Sequence, residues 1–441
     1  MALEFLNKYL FGIGIPVFLI CTGLFYCVRL GFFHFLHPIK LLRGLRGEKK
    51  GSGVSSAKAL TLALAGTLGV GNMVGVASAI ALGGFGAVFW MWVSALVAMI
   101  VKYAEIVLAM RYRKYDPDGK PHGAAMYYIK ACFRGKLGVF LAAIFALFCI
   151  INAFTMGSMI QVSASANAME GVFGIPRIAI GAIFAAITVI ALIKGRSGIL
   201  SLTEKLVPIM TAGFVLLSLA VIFKRPDSAL MALRSIFADA FTLKSGVGGV
   251  SGFLLSGALR YGTMRGILSN EAGCGTAPAA HAISNCKEAA RQGIWGIFEV
   301  FVDTILLCTL TAVVIIIGYG AVDATGDYMM MTVDAYEATI GNSAGYFISV
   351  AVLLFGLATV LCWAHYGNEG IKYFSRRRTA KYIFIALYTA SVLFGAVIPT
   401  GNVWQVADLS IGVMSAINLP TLLLMSREVK EETERYFNKN G

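Results

Sequence analysis

The sequence predicts an all-α protein that crosses a membrane about eleven times. Three observations predict it. The 441 residues are 58% hydrophobic and 14% charged, with a mean hydropathy of +0.77. A water-soluble chain carries about 25% charged residues, so this one lacks the polar surface to face water on all sides. Its uncharged apolar runs repeatedly reach the ~20 residues that span a bilayer as helix. Its basic residues cluster in alternate connecting segments, as cytoplasmic loops do.

The expected spans cover residues 10–30, 58–82, 86–110, 138–162, 176–194, 205–223, 246–268, 293–318, 343–366, 380–399 and 403–425. The first has the length of a signal peptide core. Only Lys8 precedes it, however, while Arg29, Lys40, Arg43, Arg46, Lys49 and Lys50 follow. That is the reverse of a secretory leader, so a retained helix is expected. The segments 31–57, 111–136, 194–205, 265–291, 372–381 and the tail after 426 hold most of the lysine and arginine. The segment 319–342 holds Asp323, Asp327, Asp334 and Glu337 and no base. This asymmetry predicts a plasma-membrane protein with its N-terminus outside and its C-terminus in the cytoplasm.

With the first span set aside, ten remain. Two sets of five enter the membrane in opposite senses, which predicts a five-plus-five inverted repeat. The expected units are residues 1–57 (extra helix and basic loop), 58–223 (first repeat), 224–425 (second repeat) and 426–441 (cytoplasmic tail). Spans two and seven then correspond, and both are rich in glycine. Span two contains Ala65-Gly66-Thr67-Leu68-Gly69-Val70-Gly71-Asn72, and span seven contains Gly246-Val247-Gly248-Gly249-Val250-Ser251-Gly252. Irregular backbone at membrane depth is tolerated only where protein or a water-filled cavity surrounds it. Paired interruptions of this kind point to a transporter binding site. A half-helix that stops at mid-depth offers N–H groups to a carboxylate and carbonyls to Na⁺ or an ammonium group. A zwitterionic amino acid matches both. The competing reading is that the glycines are small-residue helix contacts.

The charge of +14 would suggest nucleic acid in a soluble protein; here it belongs to the cytoplasmic loops, and no nucleic-acid partner is expected. The eight cysteines (Cys21, Cys27, Cys132, Cys149, Cys274, Cys286, Cys308, Cys362) form no CxxC pair, so neither a disulfide framework nor a zinc site is indicated. No nucleophile with a base and no Walker-type loop is present, so an enzyme is not expected.

Several strings then become recognisable. Gly66-Thr67-Leu68-Gly69-Val70-Gly71-Asn72 is followed by Gly75-Val76-Ala77 and by the run from Ala81 to Trp92. Gly157-Ser158-Met159-Ile160-Gln161, Ser269-Asn270-Glu271-Ala272-Gly273, Ala277-Pro278-Ala279-Ala280-His281, Phe298 to Thr304 and Thr359 to Gly367 complete the set. From about residue 10 to about 425 the chain resembles the alanine/glycine:cation symporter (sodium:alanine symporter) family. The resemblance implies a leucine-transporter-type fold with an extra N-terminal helix. It also implies sodium-coupled symport of alanine, glycine or a similar small amino acid, with Na⁺ as coupling ion and no other cofactor, by a protein working as a monomer. It places the substrate against Thr67, Gly69, Val70, Gly71 and Asn72. Gln161, Thr359 and Trp363 would line and close the pocket, with Val250 near a position that is often phenylalanine. A sodium ion would rest on the carbonyls of Ala65 and Leu68 and on Thr359. The chain departs from the family pattern at Val70 (threonine), Ala358 (serine), Phe85 (proline) and Asn368 (glutamate). The two lost hydroxyls bear on sodium affinity and keep a proton-coupled or uncoupled carrier as the alternative.

Other polar residues fall inside the spans. Asn72 and Gln161 are amides at membrane depth, read as ligand contacts against the alternative of helix–helix glue. Trp363 follows Thr359 by four residues, on the same helical face. Glu299 and Asp303, also four apart, are intramembrane acids and so candidates for an ion path. The structural alternative pairs them with Arg260 or Lys102. Lys102 and Glu105 are expected as a local pair facing the interface, and His281 as a gate or loop residue in a cytoplasmic segment.

Overall fold

The computed structural model describes residues 12–45, 53–242, 257–321, 327–399 and 401–440. Among them the chain is almost entirely helical, apart from a small hairpin pairing Lys114–Tyr115 with Pro121–His122. Among the described residues seven helices are long and apolar enough to cross a membrane, or eight when the bent pair Ser56–Thr67 and Gly71–Gly83 counts as one crossing. The seven are Gly12–Arg29, Gly86–Arg111, Gly135–Phe173, Arg196–Lys224, Ala289–Gly318, Ser343–Phe374 and Gly401–Leu424. The shorter apolar helices Arg177–Ile193 and Arg378–Gly395 stand at two further expected spans.

Local chemistry explains several boundaries. The Ser55 hydroxyl accepts from the Lys58 N–H at 3.3 Å and starts the helix Ser56–Thr67, as an N-cap does. Gly174 takes φ +67° and ends the helix Ile160–Phe173, the left-handed stop that glycine permits. Side chains then sort by environment. Ile209, Leu216 and Phe223, seven residues apart on the helix Arg196–Lys224, are all exposed. A stripe of exposed apolar residues on a long helix is a lipid-facing surface. The helices Gly86–Arg111 and Ser343–Phe374 are instead buried over most of their length and form the centre of the bundle.

The seventh expected span is described only from Gly257 onward. Residues 243–256, with the predicted break Gly246–Gly252 and Val250, lie outside the described residues. Their flanks meet at one end of the bundle: Gly86 N–H donates to Asp239 Oδ2 at 3.0 Å, Trp90 Nε1 to the Ala240 carbonyl at 3.0 Å, and Gly257 packs on Gly83. From there the helix Gly257–Asn270 runs inward and stops. An irregular turn follows, with φ +54° at Glu271, +82° at Gly273 and +77° at Gly275. The short helix Ala277–His281 comes next. Every residue from 266 to 284 is buried, although the charge pattern assigned 265–291 to a water-facing loop. The buried turn Glu271–Thr276 joins the helix Gly257–Asn270 to Ala277–His281. Charge counting missed it because Glu271 and His281 are enclosed by protein rather than water.

The tail after residue 425 is a helix, Ser426–Asn440, packed against the ends of the crossings. Glu428 and Glu432 pair with Arg111 at 2.9 and 3.0 Å, Tyr103 meets Thr433 at 2.7 Å, and Lys439 reaches Glu288 at 3.1 Å.

Candidate functional site

The second crossing breaks where its glycines fall. Ser56–Thr67 and Gly71–Gly83 are bent by 53°. In a continuous helix the Gly69 N–H would bond the Ala65 carbonyl and the Val70 N–H the Gly66 carbonyl. Here Gly69 N–H donates to the Thr67 carbonyl at 2.9 Å, and Val70 N–H donates to Gln161 Oε1 at 3.0 Å. The Ala65 and Gly66 carbonyls thereby lose their helical donors. The turn Gly71–Gly75 is wide, with π-type spacing, and the fourth crossing has the same irregularity at Thr155–Met159, just before Gln161. Such wide turns are frequent at functional sites.

Three predicted residues converge on this break. A methyl group built on Gly69 would lie 2.7 Å from Thr359 Oγ1 and 2.8 Å from Gln161 Oε1. Thr359 donates to its own helix at the Phe355 carbonyl, 3.0 Å, and Gln161 Nε2 donates to the Met156 carbonyl, 3.2 Å. Gly66 is equally tight against Cys362 and Tyr366, so Gly66 and Gly69 are close-packing positions as well as break positions. Gly71 and Gly75 have no such neighbours within 4 Å. Trp363 is wholly buried, its Cβ pressed on Gly157 of the wide turn and its ring edge-on to Tyr366 at 5.3 Å. Three polar atoms here are buried without a protein partner: Asn72 Oδ1, Trp363 Nε1 and the Tyr366 hydroxyl. Buried polar atoms need partners. Thr67, Asn72, Gln161, Thr359 and Trp363 are all buried.

The Asn72 amide nitrogen is tied to the eighth crossing. Its Nδ2 donates to Asp303 Oδ1 at 2.8 Å, to Ser269 Oγ at 3.1 Å and to the Asp303 carbonyl at 3.2 Å. Asp303 Oδ2 also accepts from Ser269 Oγ at 2.9 Å and Thr304 Oγ1 at 2.7 Å. The eighth crossing widens over Phe301–Cys308. Glu299 and Asp303 therefore part company although they are four apart in sequence. Glu299 lies 2.9 Å from Lys102 Nζ and 3.0 Å from His281 Nε2. Of the two bases considered as its partner, Lys102 is the one in contact; Arg260 instead stacks over Tyr261 at 5.2 Å.

Two further expectations are corrected. Lys102 and Glu105 are fully buried rather than interfacial, and they hold separate partners. Lys102 Nζ donates to the Asn270 carbonyl at 2.5 Å, while Glu105 Oε1 accepts from Gly275 N–H at 2.8 Å and Asn418 Nδ2 at 2.6 Å. An i, i+3 spacing permits a local pair, but each side chain finds a better donor or acceptor across the helix packing. His281 is buried in the core, not in a loop. Ser269, Thr304, Gln292 and Asn418 were missed, because hydroxyls and amides inside apolar runs resemble packing until their partners are known.

A nearly all-helical membrane bundle with a broken crossing and polar side chains gathered on the break is the architecture of a multi-pass membrane transporter. The chain belongs to the sodium:alanine symporter family, whose profile matches residues 1–441. It is 34% identical over 440 residues to the sodium/alanine symporter AgcS of Methanococcus maripaludis, covering 98% of this chain and 95% of that one. In fold it is similar to a Na⁺-coupled sialic acid symporter, with a TM-score of 0.59 at 12% identity over 95% of this chain and 86% of that one. MhsT in complex with L-phenylalanine matches with a TM-score of 0.54 at 14% identity, over 88% and 93% of the two chains. The fold is of the leucine-transporter type, and cation-coupled amino-acid symport is the family's activity.

Proposed function

We propose that this chain takes up a small neutral amino acid, alanine or glycine, together with Na⁺ by alternating access. The observation that carries this reading is the meeting of Gly69, Gln161 and Thr359 at the broken second crossing. The substrate carboxylate would lie against the backbone of Gly69 to Asn72, with Gly71 giving close approach, and Trp363 would shut the pocket. Sodium, carried as substrate, would bind the carbonyls of Ala65 and Leu68 and the hydroxyl of Thr359, an all-oxygen set suited to a hard cation. Val250 would join the pocket from the seventh crossing. The sequence relationship to a sodium/alanine symporter supports the choice of ligands. In this reading residues 58–223 and 224–425 are the two inverted halves, residues 1–57 and 426–441 flank them, and the monomer is the working unit. The N-terminus is outside and the C-terminus in the cytoplasm of the plasma membrane.

Proteoliposomes test it directly. Alanine or glycine should accumulate only under an inward sodium gradient; uptake indifferent to sodium would remove the coupling. The second reading, proton coupling at Asp303, is favoured by the hydroxyls missing at Val70 and Ala358. It expects Asp303→Asn to bind alanine yet fail to concentrate it.

A further inference from the structure

The turn Glu271–Thr276 gathers an imbalance of charge. Glu105, Glu271, Glu299 and Asp303 are all buried, and Lys102 is the cation held among them. His281 lies beside Glu299, with Nε2 3.0 Å from Glu299 Oε2 and Nδ1 2.8 Å from Gln292 Nε2, and Ser284 Oγ donates to Gln292 Oε1 at 2.8 Å. Lys102 pairs with Glu299, and three further carboxylates are buried nearby.

Their surroundings differ. Asp303 is surrounded by the Asn72 amide and the hydroxyls of Ser269 and Thr304. Glu105 has two donors on one oxygen. Glu271 has one donor, Thr276 Oγ1 at 2.7 Å on Oε2, and no protein group reaches its Oε1. It also stands at φ +54°, a strained setting for a side-chain-bearing residue. A buried carboxylate with so few donors requires neutralisation. Among the described residues no group of three His, Cys, Asp or Glu is placed to hold a metal ion, whereas a proton needs one oxygen.

We propose that Glu271 is a proton-carrying residue, binding H⁺ at Oε1 and releasing it when the helix Gly257–Asn270 and the turn that follows it move. Only an O–H bond forms and breaks. The groups that face it are Lys102 and Glu105 from Gly86–Arg111 and Glu299 and Asp303 from the eighth crossing. Cys149, Cys362 and Tyr366 face it from the helices Gly135–Phe154 and Ser343–Phe374, and Cys274 from its own turn. Lys102 is bonded to the carbonyl next to Glu271, so movement of this helix and turn changes the cation's distance and with it proton affinity. The transport consequence rests on the symport reading above; the protonation itself does not.

Two measurements separate them. Infrared spectra of the purified protein should show a protonated-carboxyl band that is absent in Glu271→Gln, which preserves an acceptor for Thr276. If that variant does not fold, Thr276→Val should shift the same band by removing its single donor. A band unchanged in both variants overturns the proposal. In proteoliposomes with an internal pH dye, the ratio of protons to alanine should be above zero for wild type and zero for Glu271→Gln. Equal ratios overturn it too. Wild-type protein that takes up no amino acid at all would strike the symport reading and leave the infrared result standing.

Discussion

Gly69 carries more constraint than any other glycine of the break. Its missing Cβ is what lets Thr359 and Gln161 approach within 2.7 and 2.8 Å of that position. Gly69→Ala should cost about 1–3 kcal/mol by overpacking and abolish alanine binding, read as lost protection in a thermal-shift titration. Gln161 has a complementary role, since its Oε1 takes the Val70 N–H that the broken helix releases. Gln161→Leu strands a buried donor, worth about 1–3 kcal/mol. Its melting temperature should fall even without ligand; an unchanged value would mean that water or a neighbour satisfies Val70.

Crossings three, seven and eight are joined at the scale of whole elements by one buried ion pair. Lys102 links Glu299 to the end of the helix Gly257–Asn270. Removing one member of such a pair costs about 3–5 kcal/mol, because the remaining charge is buried alone. Lys102→Met should therefore unfold at markedly lower temperature, and Lys102→Met with Glu299→Gln should recover much of the loss. A double variant no better than the single would mean that Glu299 is not charged in the folded protein. The wide turn Phe301–Cys308 sends Asp303 to Asn72 and Glu299 to Lys102, so the eighth crossing touches both the broken second crossing and the buried third.

The bundle should respond to its substrates as a whole. A ligand that binds only the folded state, at about 100 times its Kd, adds roughly 2.7 kcal/mol. Sodium with alanine should raise the melting temperature of the detergent-purified protein, and potassium with alanine should not. Equal shifts with both cations would argue against a selective site at Ala65, Leu68 and Thr359.

Much of this architecture is legible in one dimension, for a physical reason. A bilayer obliges each crossing to be a long apolar helix, so the helices stand close to the predicted spans. Glycine at 66, 69 and 71 in the second of them announces its break. Local pattern reached less far where a buried polar residue depends on a distant partner. The string Ser269 to Gly273 was recognised as characteristic, but its charge placed it in a loop. Lys102, Glu105 and His281 were given bland surroundings for the same reason: burial by other helices leaves no mark on the neighbours in sequence.

The sequence by itself determined that the chain is a helical membrane protein, that its second crossing breaks, and that Gln161, Thr359 and Trp363 belong near that break. Tertiary structure alone decided that Asn72 answers to Asp303, that Lys102 joins Glu299, and that Glu271 lies in a buried turn with one oxygen unpartnered. Hydropathy and glycine act within a single helix, whereas the partner of a buried charge is chosen by how separate helices pack.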